Sequence, residues 1–284
     1  MVPYMRDAPA TDAPGRAGGP PVSAEVSAEP DSLFGGRLRL FQPARGAHRA
    51  GTDAVLLARL LEPPPGARIC DLGAGSGAVG LAYGLGGARA TLVEREPEMA
   101  ALARRNAALN GVEAAVIETD LLASAAARRA AGLEPESQDV VVTNPPFFEG
   151  GSQPSRRLTP NALRGAAHDF GPGDLDTWIR TAAWLLRPGG QLGLIHRADA
   201  LPSCLAALGR RFGGISVRPV HARPARPAIR ILVRALKGSR APFGLLPPLV
   251  LQGADGVPTP ESVALHGVGS WPHDDPGARP TRER

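Results

Sequence analysis

The chain has 284 residues, of which 43% are hydrophobic, so it is long enough for one large α/β domain or two small ones. Its formal net charge of +5 permits an anionic partner without requiring one. Cys70 and Cys204 are too few for a disulfide framework, six scattered histidines lack metal-ligand spacing, and no run of about 18 apolar residues is present to span a bilayer. We therefore expect a cytoplasmic protein with no metal and no membrane segment.

The two ends of the chain differ in composition from its middle. Residues 1–32 are rich in Pro, Ala, Gly and acids without periodicity, which predicts a disordered tail. Residues 271–284 predict a second, flexible tail. One folded domain is therefore expected over residues 33–270.

Between the tails, apolar runs of strand length alternate with runs of helical period. The predicted helices are 53–61, capped by Thr52, then 77–84, 97–109, 121–131, 174–186 and 199–209. The predicted strands are 67–72, 89–94, 114–118, 138–143, 190–195, 214–221 and 228–236. This alternation indicates an α/β fold with a seven-stranded, mainly parallel sheet and helices on both faces. The last two strands follow each other directly, which predicts an antiparallel hairpin at one edge.

A glycine-rich loop, DLGAGSG at residues 71–77, follows the first of these strands and precedes a helix. Gly73, Gly75 and Gly77 allow a tight turn and a close approach to a ligand. Such a loop lies at the carboxyl end of its strand, where open α/β sheets bind ligands. Gly75, Gly77 and Gly80 also spell the GxGxxG dinucleotide fingerprint, so a nicotinamide cofactor is one alternative.

Acidic residues at the strand ends favour a cationic cofactor over a dinucleotide. Asp71 closes the strand before the loop, where a carboxylate suits a positive ligand better than a pyrophosphate. S-adenosylmethionine has no phosphates and carries a sulfonium and an ammonium group. Glu94 is expected to accept from its ribose hydroxyls, and Asp120 from its adenine amino group, with Leu121 near the ring. Asp53 is expected near its amino-acid end, or else at the N-terminus of its own helix.

The most specific motif is NPPF at residues 144–147, directly after a predicted strand. The prolines hold Asn144 and Pro145 in extended geometry, and each offers an oxygen acceptor. Phe147 adds an aromatic face beside them. Two acceptors next to a flat ring suit a planar group that carries –NH2, so we expect Asn144, Pro145 and Phe147 to hold the substrate amine. We expect Asn144 to contact the cofactor as well.

In this order, DLGAGSG, Glu94, Asp120 and NPPF resemble the class I S-adenosylmethionine-dependent methyltransferases, which have a Rossmann-like fold. More narrowly, the chain resembles the bacterial tRNA(Val) adenine-N6 methyltransferase family. This closer likeness rests on FQPARGAHRAGTDAVLLA from Phe41 to Ala58, on RPAIRILVRALKGSR and on LVLQGADG. The resemblance implies S-adenosylmethionine as cofactor, residues 33–270 as a methyltransferase domain, and adenine N6 in a tRNA anticodon loop as the target.

Related activities remain open as alternatives. Similar NPP-aromatic loops serve guanine-N2 enzymes of ribosomal RNA and glutamine-N5 enzymes that act on release factors. An NAD(P)-binding oxidoreductase is the alternative from another class of enzyme.

An acid-free stretch between Asp199 and Asp255 contains nine basic residues, which indicates a surface for phosphates. Within it we expect Arg230, Arg234 and Lys237 to contact the RNA. Arg156 and Arg157, in the loop after the NPPF motif, are expected to contact the RNA backbone as part of a lid.

Overall fold

A mainly parallel β-sheet forms the centre of the protein in a computed structural model that describes residues 26–43, 49–146, 171 and 173–267. Buried runs build its central strands: Val140–Val142 is wholly apolar, and Ile69–Leu72 is apolar apart from Asp71. Runs of this kind are typical of parallel strands covered by helices on both faces.

The strands are β1 (Asp31–Leu33), β2 (Leu38–Leu40), β3 (Arg68–Leu72), β4 (Arg89–Glu94), β5 (Ala114–Glu118), β6 (Gln138–Thr143), β7 (Leu186–Arg197), β8 (Phe212–His221), β9 (Ala228–Lys237), β10 (Gly244–Leu245) and β11 (Leu249–Val250). The helices are α1 (Thr52–Ala58), α2 (Ala78–Leu85), α3 (Pro97–Leu109), α4 (Ala125–Ala130), α5 (Asp174–Leu185), α6 (Leu201–Leu208) and α7 (Pro260–His266). Both lists cover the described residues.

The order of strands across the main sheet is β10-β8-β9-β7-β6-β3-β4-β5, with β11 also beside β8. Strands β3 to β7 pair in parallel, whereas β9 is antiparallel to both β7 and β8. The α/β fold and its antiparallel hairpin are therefore confirmed. The sheet has nine strands in the described residues rather than seven, because the two-residue strands β10 and β11 extend it beyond β8.

Helices cover the two faces of the sheet with separate apolar cores. On one face, α1, α2 and α3 contribute buried side chains such as Leu56, Leu81 and Ala103. On the other face, α5 and α6 contribute Ile179 and Leu208, among others. Helix α3 has Pro97 at its first turn, as predicted, where the missing N–H is not needed.

Three local expectations differ from the structure. Val26, the first described residue, bridges Pro43, so paired backbone is present within the last residues of the predicted tail 1–32. Thr52 is the first residue of α1 rather than its cap. The N-cap is Gly51, which has no side chain to cap the helix. Helix α4 begins at Ala125 instead of residue 121, because Ser124 caps it by accepting from the Ala127 N–H.

No described helix combines the length and the apolar character needed to cross a membrane. The described residues also contain no cluster of three His, Cys, Asp or Glu side chains placed to hold a metal ion. Cys70 and Cys204 are both free and buried, and burial raises the pKa of each thiol.

Candidate active site

The glycine loop joins β3 to α2 at the carboxyl edge of the sheet, at its centre. Gly73 has a φ of 72°, in the left-handed region that favours glycine. A Cβ atom at this position would lie 3.0 Å from Cζ2 of Trp178, which packs directly on the loop. The backbone conformation and the close approach of the indole therefore both require glycine here.

Glu94, at the end of β4, ties the loop to the neighbouring strand. Its Oε2 accepts from the Gly75 N–H at 2.8 Å, and its Oε1 accepts from the N–H groups of Arg95 and Glu96 at 2.8 and 2.9 Å. A carboxylate offers about four acceptor positions, so Oε2 keeps capacity for another donor. The geometry suits the predicted contact with ribose hydroxyls and adds a structural role that the sequence did not indicate.

Asp71 is buried behind the loop and faces α2. Its Oδ2 accepts from the Gly80 N–H at 2.8 Å, within the first turn of that helix. Burial raises the pKa of Asp71 to about 7, the Gly80 N–H opposes this rise, and the charge of Glu94 adds to it. Its observed partner is thus the junction of loop and helix, whereas the sequence placed it beside the cofactor cation.

Asp120 and Leu121 follow β5, the neighbour of β4. The Asp120 Oδ1 accepts from the Leu122 N–H at 2.8 Å, which fixes the turn. The Thr119 N–H donates to the Glu94 carbonyl at 3.1 Å, so the ends of the two strands stay together. Leu121 is buried, and its carbonyl accepts from the Thr181 hydroxyl at 2.9 Å. Asp120 and Glu94 therefore lie at the same edge of the sheet.

Asn144 lies directly after β6, the other neighbour of β3. Its Oδ1 is buried and has no hydrogen-bond partner among the described residues, and Pro145 behind it is also buried. An unsatisfied buried acceptor costs about 1–3 kcal/mol, so a group of this kind needs an explanation. The structure thus leaves an acceptor open where the sequence predicted one for the substrate. Phe147, Arg156 and Arg157 lie outside the described residues.

Two further residues connect the halves of the site, and neither was predicted from the sequence. The Trp178 indole N–H donates to Thr143 Oγ1 at 2.9 Å, and the Thr143 hydroxyl donates to the Leu72 carbonyl at 2.9 Å. Leu72 immediately precedes the glycine loop, and Thr143 immediately precedes Asn144. A lone polar residue at the end of the apolar run VVVT was the available signal for Thr143. No signal linked Trp178, on distant α5, to the loop.

The predicted RNA-binding residues of β9 do not form one surface. Arg230 pairs with Asp53 at 2.9 Å, which joins a predicted RNA contact to a predicted cofactor contact. Lys237 lies at the opposite, amino-terminal edge, where Nζ donates to the Leu186 carbonyl and to Glu136. Arg234 lines a cavity of about 240 Å³ between α1, α7 and the hairpin, away from the glycine loop.

The polar groups at this edge of the sheet fit S-adenosylmethionine. Glu94 and Asp120 provide acceptors for hydroxyl and amino groups, and Asp71 places a further carboxyl group behind the loop. The Glu94 carboxylate, which bonds the loop, would repel a pyrophosphate, whereas it is compatible with a cationic ligand.

Comparisons with known proteins agree with this chemistry. Residues 47–173 match the model of the methyltransferase small domain. A structure of a predicted O-methyltransferase from Agrobacterium tumefaciens is 37% identical, covers 75% of this chain and 95% of its own, and has a TM-score of 0.62. A 16S rRNA N2 G1207 methyltransferase of T. thermophilus, in complex with AdoMet and guanosine, covers 77% of this chain and 52% of its own, with 23% identity and a TM-score of 0.53, so it supports the fold alone.

Two curated relatives match about half of the chain. A release factor glutamine methyltransferase of Salmonella typhimurium is 31% identical over 163 residues, which are 54% of this chain and 55% of the relative. A ribosomal RNA small subunit methyltransferase C of Chromohalobacter salexigens is 30% identical over 150 residues, which are 52% of this chain and 37% of the relative. The chain thus spans about half of the first relative and just over a third of the second.

Proposed function

Because this chain belongs to the class I S-adenosylmethionine-dependent methyltransferases with a methyltransferase small domain, we propose that it methylates the exocyclic amino group of a nucleobase in RNA. Its cofactor is S-adenosylmethionine, which supplies an electrophilic methyl group when bound. The dinucleotide alternative, and with it the oxidoreductase activity, is therefore set aside. Glu94, Asp120 and the glycine loop are the residues that would hold the cofactor.

The observation that carries the proposal is the buried Oδ1 of Asn144, which has no hydrogen-bond partner within the part of the chain that the structure describes. Together with the carbonyl of Pro145 it offers two acceptors, which match the two hydrogens of an –NH2 group. A hydroxyl group has one hydrogen and would leave one acceptor unsatisfied. The pair therefore favours methylation at nitrogen over methylation at oxygen.

Such an amine is a weak nucleophile, because its lone pair is delocalised into the ring. By accepting both hydrogens, Asn144 and Pro145 would orient the nitrogen and free its lone pair for attack on the methyl group. Thr143 and Trp178 would fix the position of Asn144 relative to the glycine loop. No strong base is required, because the nitrogen becomes acidic once it is methylated. The rate gain would come mainly from positioning, for which effective molarities of about 10⁵ M or more are known.

An RNA substrate is supported by the ribosomal RNA methyltransferase among the relatives and by the basic hairpin β8–β9. The curated matches support the alternatives, guanine N2 of ribosomal RNA and glutamine N5, better than adenine N6 of tRNA. Adenine N6 in the tRNA anticodon loop, which the finer family resemblance implies, stays a prediction. A base in a single-stranded loop would enter this site at the lowest cost, because it is already unstacked.

The glutamine side-chain amide is the second candidate substrate. It is supported by the 31% identity to a release factor glutamine methyltransferase. An amide is also planar and carries –NH2, so the acceptors of Asn144 and Pro145 suit it equally well. The two candidates therefore differ in what surrounds the amine and not in how the amine is held.

Methyl transfer from isotopically labelled S-adenosylmethionine distinguishes these substrates. We would incubate the protein with unmodified tRNA, unmodified 16S ribosomal RNA and a release factor, and then identify the products by nucleoside and peptide mass spectrometry. The proposal predicts a methylated nucleobase amine, at guanine N2 or adenine N6. N5-methylglutamine as the only product would favour the second candidate, and a methyl group on oxygen or carbon would contradict both.

A further inference from the structure

The turn between β8 and β9, residues 222–227, lies at the same edge of the sheet as the candidate active site. Strand β9 is antiparallel to β7. In the register of the two strands, Arg230 near the start of β9 lies opposite Arg197 at the carboxyl end of β7. Strand β7 in turn runs parallel to β6, which leads into Asn144. The turn therefore projects from the carboxyl edge of the parallel strands.

The lateral distance from this turn to Asn144 follows from the order of the strands. Strand β9 is two positions from β6, and β8 is three positions from it. With neighbouring strands about 4.8 Å apart, these separations correspond to about 10 and 14 Å. A nucleotide held at Asn144 would have the phosphates of its near neighbours within this range.

The charge at this turn is uncompensated, unlike that of other arginines near the same edge. Ion pairs join Arg197 to Asp199 and Arg230 to Asp53. Arg223 and Arg226 are both exposed, and neither has a carboxylate of the described residues within ion-pair distance. The Nε of Arg223 donates to the side-chain oxygen of Gln252 at 3.5 Å.

The backbone of the turn is fixed by several independent contacts. The Arg226 N–H donates to the Arg223 carbonyl at 3.4 Å, across Pro224 and an Ala225 with a φ of 55°. Proline followed by a positive φ is typical of a type II turn. His221 Nδ1 bonds the Arg226 carbonyl at 2.5 Å, which requires the proton on Nδ1. A turn fixed in advance loses little conformational freedom when a ligand binds.

We propose that the turn 222–227 is a phosphate-binding surface, on which Arg223 and Arg226 hold the RNA backbone next to the nucleotide in the active site. This inference rests on the proposed RNA function and adds the surface that would recognise the RNA. Contacts of this kind set the position of the substrate and carry no sequence information. The surface replaces the expected trio on β9, of which Arg230 is paired and Lys237 lies at the far edge.

Binding of unfractionated bacterial tRNA over a range of salt concentrations tests the surface, because phosphate contacts are independent of sequence. The double variant Arg223→Ala with Arg226→Ala should reduce the slope of log K against log salt by about 1.4, or about 0.7 for each lost contact to single-stranded RNA. The same loss raises Kd about 25-fold at 0.1 M salt. We expect KM for RNA to rise while kcat and the affinity for S-adenosylmethionine stay unchanged.

The matched control is Arg210→Ala with Arg240→Ala, which removes two exposed charges beside the opposite edge of the sheet. This control should leave the salt slope unchanged. An unchanged slope in the Arg223 and Arg226 variant, or an equal change in both double variants, would overturn the inference. RNA methylation that is insensitive to Arg223 and Arg226 would contradict the phosphate-binding surface and leave the proposed function standing. A wild-type protein that methylates only glutamine, while RNA binding depends on the turn, would contradict the proposed RNA function and leave the phosphate-binding surface standing.

Discussion

The two sides of the candidate active site differ in whether their polar groups have partners within the described residues. On the cofactor side, Glu94, Asp71 and Asp120 each accept hydrogen bonds from backbone N–H groups of the protein. On the substrate side, Asn144 Oδ1 has no partner among the described residues. The exposed Arg223 and Arg226 likewise have no carboxylate partner there.

This difference separates a site that is organised by the protein from one that is completed by its substrate. Glu94 ties the glycine loop to β4, Asp71 bonds the first turn of α2, and Asp120 fixes the turn after β5, all by bonds within the protein. On the substrate side, the Asn144 acceptor is unsatisfied within the described ranges, at a cost of about 1–3 kcal/mol that a bound amine would recover. Substitutions on the two sides should therefore affect different binding partners.

The largest effect is expected from Asn144→Ala, which removes the open acceptor. Loss of correct orientation should lower kcat/KM by about 100-fold or more, while the Kd for S-adenosylmethionine stays within a few-fold. Steady-state kinetics and a cofactor titration measure the two quantities separately. Gln138→Ala is the matched control, because Gln138 Oε1 at the other end of β6 is also buried without a partner. Comparable losses of transfer and cofactor binding in Asn144→Ala would erase the distinction between the two sides.

Glu94→Gln should show the reverse pattern. The new amide places an N–H group where a carboxylate oxygen now accepts from the backbone, so a bond to a charged group worth about 1.5–3 kcal/mol is lost. The Kd for S-adenosylmethionine should rise about 10- to 100-fold in a calorimetric titration. Glu118→Gln is the control, since Glu118 is the strand partner of Glu94 but pairs with exposed Arg104. An unaltered cofactor affinity would show that Glu94 does not organise the loop.

A smaller effect is expected at the bridge between the two sides. Thr143→Val keeps the shape of the side chain but leaves the Leu72 carbonyl and the Trp178 N–H buried without their present bonds. The free energy of unfolding should fall by about 1–3 kcal/mol, measured by urea denaturation. Thr143→Ser retains the hydroxyl and should recover most of the loss. Equal destabilisation by Val and Ser would assign the effect to packing.

A further effect is a pH dependence of stability that Asp71 contributes. Because burial raises the pKa of Asp71 from 3.8 to about 7, the folded state holds a proton between these values that the unfolded chain has released. Stability from this group therefore falls as pH rises from about 4 to 7. His196 acts in the opposite sense, because burial lowers its pKa to about 4 and the unfolded chain binds the proton below about 6.5.

Comparison with Asp71→Asn isolates the carboxyl group from His196. The variant should gain stability relative to the wild type as pH rises from about 4 to 7, and the gain should then level off. Thermal unfolding across a pH series measures the difference. A difference that does not change with pH would mean that Asp71 keeps its ordinary pKa in the folded state.

Regular patterns made most of the fold predictable, since β4, α3, β5 and β6 have the predicted bounds. Strands β10 and β11 were missed because two residues carry no periodicity. In the site, Asn144 was predictable because its motif is contiguous in sequence. The contacts of Trp178 with Thr143 and of Arg230 with Asp53 depend on tertiary packing between residues 35 and 177 positions apart, and local patterns do not encode such contacts.

The most direct test is a crystal structure of the protein with S-adenosylhomocysteine and its identified substrate. The account predicts the substrate amine nitrogen about 2.7–3.2 Å from Asn144 Oδ1, with Glu94 still bonded to the glycine loop. An Asn144 Oδ1 that bonds the protein or the cofactor, with the substrate amine elsewhere, would contradict it.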